Sequence, residues 1–141
     1  MENAFYLDPR LTESSFDVAA LELCKVLLVD NALFPWVILV PQRAGIKEII
    51  DLNAQDRITL IQEISMISEI MREVFSPDKL NVAALGNIVP QLHVHIIARY
   101  QSDSAWPQPV FGNSTKPYGP EYSGKLINRL KEKIILRLLK I

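Results

Sequence analysis

Short runs of apolar and β-branched residues, separated by turn residues, predict β-strands along much of the chain. The predicted strands cover residues 5–7, 23–29, 36–40, 80–85 and 91–99. The short connection at residues 30–35 predicts that the second and third strands form an antiparallel hairpin. A turn at Gly86-Asn87 is predicted to lead into the last strand, again antiparallel.

A different spacing marks residues 54–75, where apolar side chains recur with the period of an α-helix. The predicted core-facing stripe consists of Ile58, Ile61, Ile64, Ile67, Met71, Val74 and Phe75. Asn53 is predicted to cap this helix, with Asp56 as a capping-box partner, and residues 76–78 are predicted to end it. A helical turn is expected within residues 46–52.

A second helix is predicted over residues 123–139, with a wide apolar stripe. The stripe consists of Leu126, Leu130, Ile134 and Leu138, flanked by Ile127, Ile135 and Leu139. Such a stripe must be buried, either on its own domain or across a dimer interface. Four or five antiparallel strands with two main helices indicate an α+β fold, and a length of 141 residues corresponds to one domain.

Residues 101–122 lack either period and contain four prolines and two glycines, which predicts irregular backbone. Trp106, Phe111 and Tyr118 are spaced along this segment. Two interpretations have equal weight. The segment is a flap that closes a binding pocket or meets a partner subunit, or its aromatic side chains anchor a loop to the domain surface.

Composition narrows the choice of partner and compartment. A net charge of −1 provides no basic footprint for nucleic acid. Residues 1–8 lack the features of a signal peptide, and the longest apolar run, residues 32–41, is too short to span a bilayer. Cys24 has no second cysteine to pair with and is expected to be a buried thiol. We therefore expect a cytoplasmic protein with no membrane partner.

The chain has only two histidines, and they lie two residues apart within the last predicted strand. Alternation along a strand places Gln91, His93 and His95 on one face, with the backbones of the two histidines about 7 Å apart. That spacing suits two imidazoles converging on one phosphate group. If a carbonyl holds the N–H of a neutral imidazole, the other ring nitrogen becomes a nucleophile towards phosphorus.

Other readings of the pair stay open. Both histidines can be core residues satisfied by their neighbours, or a metal-ligand pair completed by carboxylates. Arg99 shares the same face but lies about 20 Å from His93 along an extended strand, so we interpret it as a solvated charge at the strand end.

These residues resemble the histidine triad (HIT) family, whose motif is His-φ-His-φ-His-φ-φ with φ apolar. Gln91 stands where the first histidine of that motif would be. Further segments that resemble the family are residues 37–41, Asp30 and Asn31, Asn81, the Gly86-Asn87 turn, and Trp106-Pro107. The resemblance covers about residues 4–112. It implies an α+β, HIT-like antiparallel sheet of about five strands with one long helix and a C-terminal helix.

By this resemblance, His93 is the nucleophile that forms a nucleotidyl-histidine intermediate, and His95 helps to hold the phosphate and the leaving group. Gln91 keeps the backbone carbonyl that orients the nucleophile. Trp36 stands near a strand position where many members carry a histidine. Its presence implies the loss of one possible donor and the gain of an apolar, base-sized surface, hence slower turnover or a different leaving group.

The supporting substrate contacts follow from the same resemblance. They are Asp30 or Asn31 for ribose hydroxyls, and Gly86 with Asn81 or Asn87 for the phosphate or ribose. The expected partner is a purine nucleotide or dinucleotide, and the expected assembly is a homodimer. No cofactor or obligatory metal is expected, because side-chain and backbone donors can stabilise the charge.

The expected activity is hydrolysis or nucleotidyl transfer at the α-phosphate of nucleoside phosphoramidates or dinucleoside polyphosphates. Residues 1–112 would form the nucleotide-binding domain, and residues 113–141 a C-terminal loop and helix that packs on the domain or on the dimer partner. Two alternatives remain, a non-catalytic nucleotide-binding or sensing protein and a metal-dependent enzyme that uses His93 and His95.

Overall fold

Five antiparallel strands form a single sheet in the order β1-β2-β3-β5-β4. The computed structural model describes residues 4–140. The strands are β1 (Ser15–Ala20), β2 (Cys24–Val29), β3 (Trp36–Pro41), β4 (Lys79–Ala83) and β5 (Val94–Arg99). The helices are α1 (Pro9–Thr12), α2 (Ala54–Phe75) and α3 (Pro120–Leu139), with a 3-10 turn at Ile49–Asp51. The predicted α+β fold is therefore confirmed.

The two faces of the sheet differ in what covers them. Val94, Ile96 and Ala98 of β5 pack into the main core with residues of α2 and α3. The alternate residues of β5 point to the opposite face, because successive side chains of a strand alternate. His95 pairs there with Ile38 of β3, which packs with residues of the N-terminal segment. The face of the central strands opposite α2 and α3 therefore carries the histidine motif.

Several predicted elements are confirmed. β2 and β3 form the expected antiparallel hairpin, and α2 has the predicted bounds. The Asn53 side chain accepts a hydrogen bond from the backbone N–H of Asp56, which is the expected helix cap. Ser76 ends α2 in the left-handed conformation, with φ of 46°. The 3-10 turn lies within the segment where a helical turn was predicted.

One strand prediction is wrong, and one strand was missed. Residues 5–7 are not a strand, and a strand that was not predicted, β1, pairs with β2 instead. Leu7 is apolar because it packs against the cluster of Leu11, Leu27, Ile38, Val40 and Val89, not because it belongs to the sheet.

Three details of the other predictions also differ. Ile58 and Ile61 are exposed, whereas Glu63 is buried and accepts hydrogen bonds from the backbone N–H groups of Leu23 and Cys24. The Asp56 carboxylate binds Arg43 in place of closing a capping box. The link from β4 to β5 covers residues 84–93, so Gly86-Asn87 is part of a longer loop.

Helix α3 packs on its own domain through Leu126, Leu130 and Ile134, which belong to the main core. Arg137 of α3 also bonds the carboxylates of Glu69 and Glu73 on α2. The last part of the predicted stripe is different, because Ile135, Leu138 and Leu139 are at least half exposed. A domain division between residues 112 and 113 stays a prediction.

Residues 1–3 of the N-terminal stretch and residue 141 lie outside the described residues. Within residues 4–140, no helix has the length and apolar character needed to cross a membrane.

Candidate active site

Two imidazole rings lie side by side on the face of the sheet opposite α2 and α3. His95 belongs to β5, and His93 comes just before the first residue of that strand. The ring centroids are 4.8 Å apart, and the two residues are only 5% and 6% exposed. The sequence-predicted pair is therefore brought together in one buried position.

The Nδ1 atom of His93 lies 2.7 Å from the backbone carbonyl oxygen of Gln91. A carbonyl oxygen only accepts hydrogen bonds, so Nδ1 carries the proton and donates it. In the neutral ring, Nε2 then carries the free lone pair. Because the carbonyl belongs to the main chain, this arrangement needs no histidine at position 91.

His95 is held in the opposite tautomer. The indole Nε1–H of Trp36 donates to Nδ1 of His95 over 3.0 Å. Nδ1 is therefore an acceptor, and the proton of the neutral ring lies on Nε2, which is 3.3 Å from the carbonyl oxygen of Leu85. The indole N–H of Trp36 is engaged by His95, so the loss of a donor at this position stays a prediction.

Burial keeps the His95 ring neutral. Desolvation, and then the neighbouring His93, lower the pKa of His95 to about 4, against a smaller opposing effect of the Leu85 carbonyl. At neutral pH, His95 therefore offers one N–H and no positive charge.

A cavity of about 500 Å³ opens in front of both histidines. Its lining combines an apolar part with a few amide and imidazole groups. The residues of that lining include Asn31, Trp36, Asn87, Val89, His93, His95 and Phe111. The Phe111 ring packs edge-on against His95 and Trp36, with ring centroids at 5.0 and 5.5 Å. An aromatic wall beside two imidazoles suits a planar base attached to a phosphate.

A second cavity of about 240 Å³ adjoins the other side of His93. Lys47, Glu48, Gly86 and Asn87 are among its lining residues. A Cβ atom at Gly86 would lie 2.8 Å from the carbonyl oxygen of Val89 and 3.7 Å from Cε1 of His93. Glycine is therefore needed there because the Val89 carbonyl leaves no space for a side chain, whereas the distance to the imidazole is an ordinary contact.

Some of the residues predicted to contact the ribose and the phosphate line a cavity, and others do not. Asn31 is buried and lines the large cavity, although its Oδ1 already accepts from the N–H of Leu33. Asp30 accepts a hydrogen bond from the N–H of Tyr118 over 2.8 Å and so holds residues 116–118 to the hairpin. Asn81 lies outside the lining of both cavities, and its side chain accepts from Arg99.

The Gln91 side chain points away from the imidazoles. Its Oε1 accepts from the N–H of Asp8 at 2.9 Å, and its Nε2 donates to the carbonyl of Tyr6 at 2.8 Å. Nearby, Arg10 donates to the carbonyl of Ile88 in the loop that lines the large cavity. Gln91 therefore fastens the N-terminal segment across the back of the site.

The interpretation of Arg99 as a solvated charge is wrong. Arg99 is 1% exposed and pairs with both carboxylate oxygens of Asp103. It also donates to the carbonyl of Gln108, and its guanidinium lies 5.7 Å from the Trp106 ring. Arg99 and several backbone N–H groups lower the pKa of Asp103 to about 2.

The aromatic residues of the segment 101–122 make different contacts. Trp106 anchors the loop at Arg99, whereas Phe111 reaches the cavity. Sequence reasoning singled out Phe111 as a spaced aromatic residue but could not identify His95 and Trp36 as its contacts. No sequence signal pointed to the hydrogen bond between Trp36 and His95.

Among residues 4–140, no group of three or more His, Cys, Asp or Glu side chains lies close enough together to hold a metal ion. The metal interpretation therefore has no third side-chain ligand of these types within the described part of the chain.

Comparison with known proteins gives concordant results. A family model described as "HIT domain" matches residues 12–102. A histidine triad protein from Bradyrhizobium japonicum is 45% identical, with a TM-score of 0.91 over 94% of this chain and 99% of that one. One from Marinobacter aquaeolei is 45% identical, with a TM-score of 0.90 over 93% of this chain and 96% of that one.

A third, from Sinorhizobium meliloti, is 39% identical, with a TM-score of 0.89 over 92% of this chain and 96% of that one. A search of curated protein sequences finds no significant match.

Proposed function

This chain belongs to the histidine triad (HIT) family, and from that premise we propose that it is a nucleotide hydrolase or nucleotidyl transferase acting at an α-phosphate. The substrates would be nucleoside phosphoramidates or dinucleoside polyphosphates. The family implies nucleotide-binding hydrolases or transferases, and the more specific reaction is our inference from the site.

One observation carries the proposal. The Gln91 carbonyl holds the proton of His93 on Nδ1, which leaves Nε2 unprotonated on a ring that lines the cavity. We infer that Nε2 attacks phosphorus and forms a nucleotidyl-histidine, while the bond from phosphorus to the leaving group breaks and its electron pair stays on the leaving atom. Water or another acceptor then attacks phosphorus, and the electron pair of the P–N bond returns to Nε2.

The other groups would bind the substrate around this reaction centre. We propose that the base lies against Trp36 and Phe111, because these rings form the aromatic wall of the cavity. Asn31 would contact the ribose, and His95 Nε2–H and Asn87 would donate to phosphoryl oxygens. Asp30 and Asn81 would act indirectly, by holding the segments that they bond.

Intact-protein mass spectrometry tests the proposed nucleophile. After brief incubation with a dinucleoside polyphosphate or a nucleoside phosphoramidate, we expect an acid-labile nucleotidyl adduct that is absent in His93→Ala. His93→Ala should still bind the non-reacting nucleoside monophosphate, which controls for folding. Turnover that persists in His93→Ala would refute the assignment, and tight nucleotide binding without adduct or product would favour the non-catalytic alternative.

We also propose that the chain forms a homodimer. β4 is at one edge of the sheet, and Val82 on this strand and Ile88 in the following loop are 49% and 82% exposed. Apolar side chains beside an open strand edge favour pairing with another chain. Sedimentation velocity should give the mass of a dimer, and a concentration-independent monomer would contradict the proposal.

A further inference from the structure

In the hydrogen bond between Trp36 and His95, only the indole can be the donor. An indole Nε1–H donates and has no lone pair with which to accept. The 3.0 Å contact with Nδ1 therefore requires an unprotonated Nδ1 on His95. A proton on both ring nitrogens would place two N–H groups head to head.

The other neighbours of His95 also disfavour a positive charge on its ring. His95 packs against the rings of His93, Trp36 and Phe111, with centroid distances of 4.8, 5.5 and 5.0 Å. His93 is the titratable group in this aromatic shell, and any charge on it would oppose a charge on His95. The low pKa of His95 is consistent with this geometry.

A neutral imidazole donates a hydrogen bond from its remaining N–H, but losing that proton would create an imidazolate. His95 can therefore stabilise a phosphoryl oxygen without transferring a proton to the leaving group. Lys47, which lines the smaller cavity beside His93, is a second group with protons to give.

We propose that Trp36 is the specificity-determining residue of this site: by donating to His95, it makes the site prefer, among the substrates proposed above, those whose leaving group departs as a stable anion, as in phosphoanhydrides. This inference rests on the proposed function and deepens it. Trp36 acts on the leaving group through His95, and is a positioning residue in that role.

The preference for phosphoanhydrides over phosphoramidates follows from the atom that receives the electron pair of the broken bond. Attack of the His93 Nε2 lone pair forms a P–N bond, and the bond from phosphorus to the leaving group breaks with its electron pair on the leaving atom. In a phosphoanhydride, that atom is an oxygen of a phosphate group, which accepts the pair as a stable anion. In a phosphoramidate, it is an amine nitrogen, which must gain a proton as the bond breaks.

The test compares substrates that share one nucleotide and differ in the leaving atom. The probes are the 4-nitrophenyl ester of AMP, the corresponding anilide of AMP and diadenosine triphosphate. Wild-type protein should cleave the ester and the triphosphate with kcat/KM values about 10² or more above that of the anilide, the usual scale of general-acid catalysis. Equal values for ester and anilide would overturn the proposal.

Two substitutions locate the effect. Trp36→His supplies a ring that can both accept and donate a proton, and should narrow the ester-to-anilide ratio by about tenfold or more. Trp36→Phe keeps an aromatic ring without an N–H, so it removes the donation to His95 and should also narrow the ester-to-anilide ratio. A ratio unchanged in Trp36→His, or a wild-type anilide activity that disappears in Lys47→Ala, would contradict the role of Trp36.

A spectroscopic readout does not depend on turnover. In ¹⁵N NMR spectra of wild-type protein at neutral pH, the Nδ1 atom of His95 should be unprotonated and Nε2 protonated. A protonated Nδ1 would overturn the proposal. Adduct mass spectrometry separates the two levels of inference: no adduct with any probe defeats the proposed function, whereas adducts that form equally fast from ester and anilide defeat the leaving-group inference alone.

Discussion

At the scale of single residues, the two imidazoles differ because of their hydrogen-bond partners. His93 faces a carbonyl and His95 faces an indole N–H, so the two neutral rings carry their protons on opposite nitrogens. The pairing of the histidines could be predicted from their spacing. The tautomer of His95 could not, because it depends on Trp36, which is 59 positions away in sequence.

The lowered pKa of His95 predicts a dependence of stability on pH. Below its ordinary pKa of 6.5, the unfolded chain protonates this residue, whereas the folded chain does so only near pH 4. The free energy of unfolding should therefore fall as pH decreases from 6.5 to 4, by up to about 3 kcal/mol from this residue. Urea denaturation across that range measures it.

His95→Gln is the control for this prediction, because it removes the titrating ring. Its unfolding free energy should vary less than that of the wild type between pH 6.5 and 4. The lowered pKa of Asp103 acts at lower pH, between 3.8 and about 2, and does not overlap that window. Parallel pH profiles for wild type and His95→Gln would disprove the assignment.

Gly86→Ala tests the close approach of residue 86 to the Val89 carbonyl, in the loop that borders His93. The added methyl group would meet the Val89 carbonyl at 2.8 Å, and overpacking of this kind destabilises by about 1–3 kcal/mol. Since the loop borders His93, kcat/KM should fall as well. Urea denaturation and steady-state kinetics give the two values.

Gly124→Ala is the matched control. No atom lies within 4 Å of the added methyl group at that position. Within a helix, this change should stabilise by about 0.5–1 kcal/mol and leave turnover unchanged. If both variants behave alike, the loop does not need glycine for space at Gly86.

At the scale of secondary-structure elements, the predictions are correct where the sequence pattern of an element agrees with the burial of its residues. The bounds of α2 follow from its capping residue and its closing Ser-Pro sequence. β1 escaped prediction because Val18 is the only residue of this edge strand that is fully buried. The apolar stripe of α2 was misjudged because Glu63 occupies an inward position, where it satisfies two backbone N–H groups.

We predict that Gln91→Ala makes the N-terminal segment more mobile. Gln91→Ala removes both hydrogen bonds, to Asp8 and Tyr6, at about 0.5–1.5 kcal/mol each. Hydrogen exchange should accelerate in residues 6–10 and, through the Arg10 contact, in residues 85–89.

Nucleotidyl-adduct formation should slow in Gln91→Ala but remain, because the carbonyl that orients His93 belongs to the main chain. Gln101→Ala, at an exposed position, is the control and should change neither measurement. Complete loss of adduct with unchanged exchange would show that the side chain acts on the imidazole directly.

At the scale of the whole molecule, the fold could be predicted more fully than the site. The strand, helix and motif patterns were sufficient for the α+β class. The cavity needs contributions from the hairpin, the loop before β5 and the loop around Phe111, which meet only in three dimensions. Arg99 shows the same limit, since its burial depends on Asp103, Asn81 and Gln108.

The position of α3 predicts that residues 1–112 do not fold alone. Removing residues 113–141 would take Leu126, Leu130 and Ile134 out of the main core. Each such loss resembles a large-to-small core change of about 2–5 kcal/mol, so the sum approaches the stability of a typical domain. Near-ultraviolet circular dichroism should show no fixed tertiary structure.

A chain ending at residue 137 is the control for that truncation, because it keeps the three core side chains and Arg137. It should fold cooperatively. A cooperative unfolding transition in the 1–112 chain would instead support a domain boundary at residue 112.

The hydrogen bond that joins Trp36 to His95 also gives the protein an intrinsic optical reporter. The chain has two tryptophans, and Trp106 lies against Arg99 and is not part of the lining of the large cavity. Fluorescence emission from Trp36 therefore depends directly on the His95 imidazole and on the contents of the cavity. In a Trp106→Phe background, fluorescence titration would follow ligand occupancy of the unlabelled protein in real time.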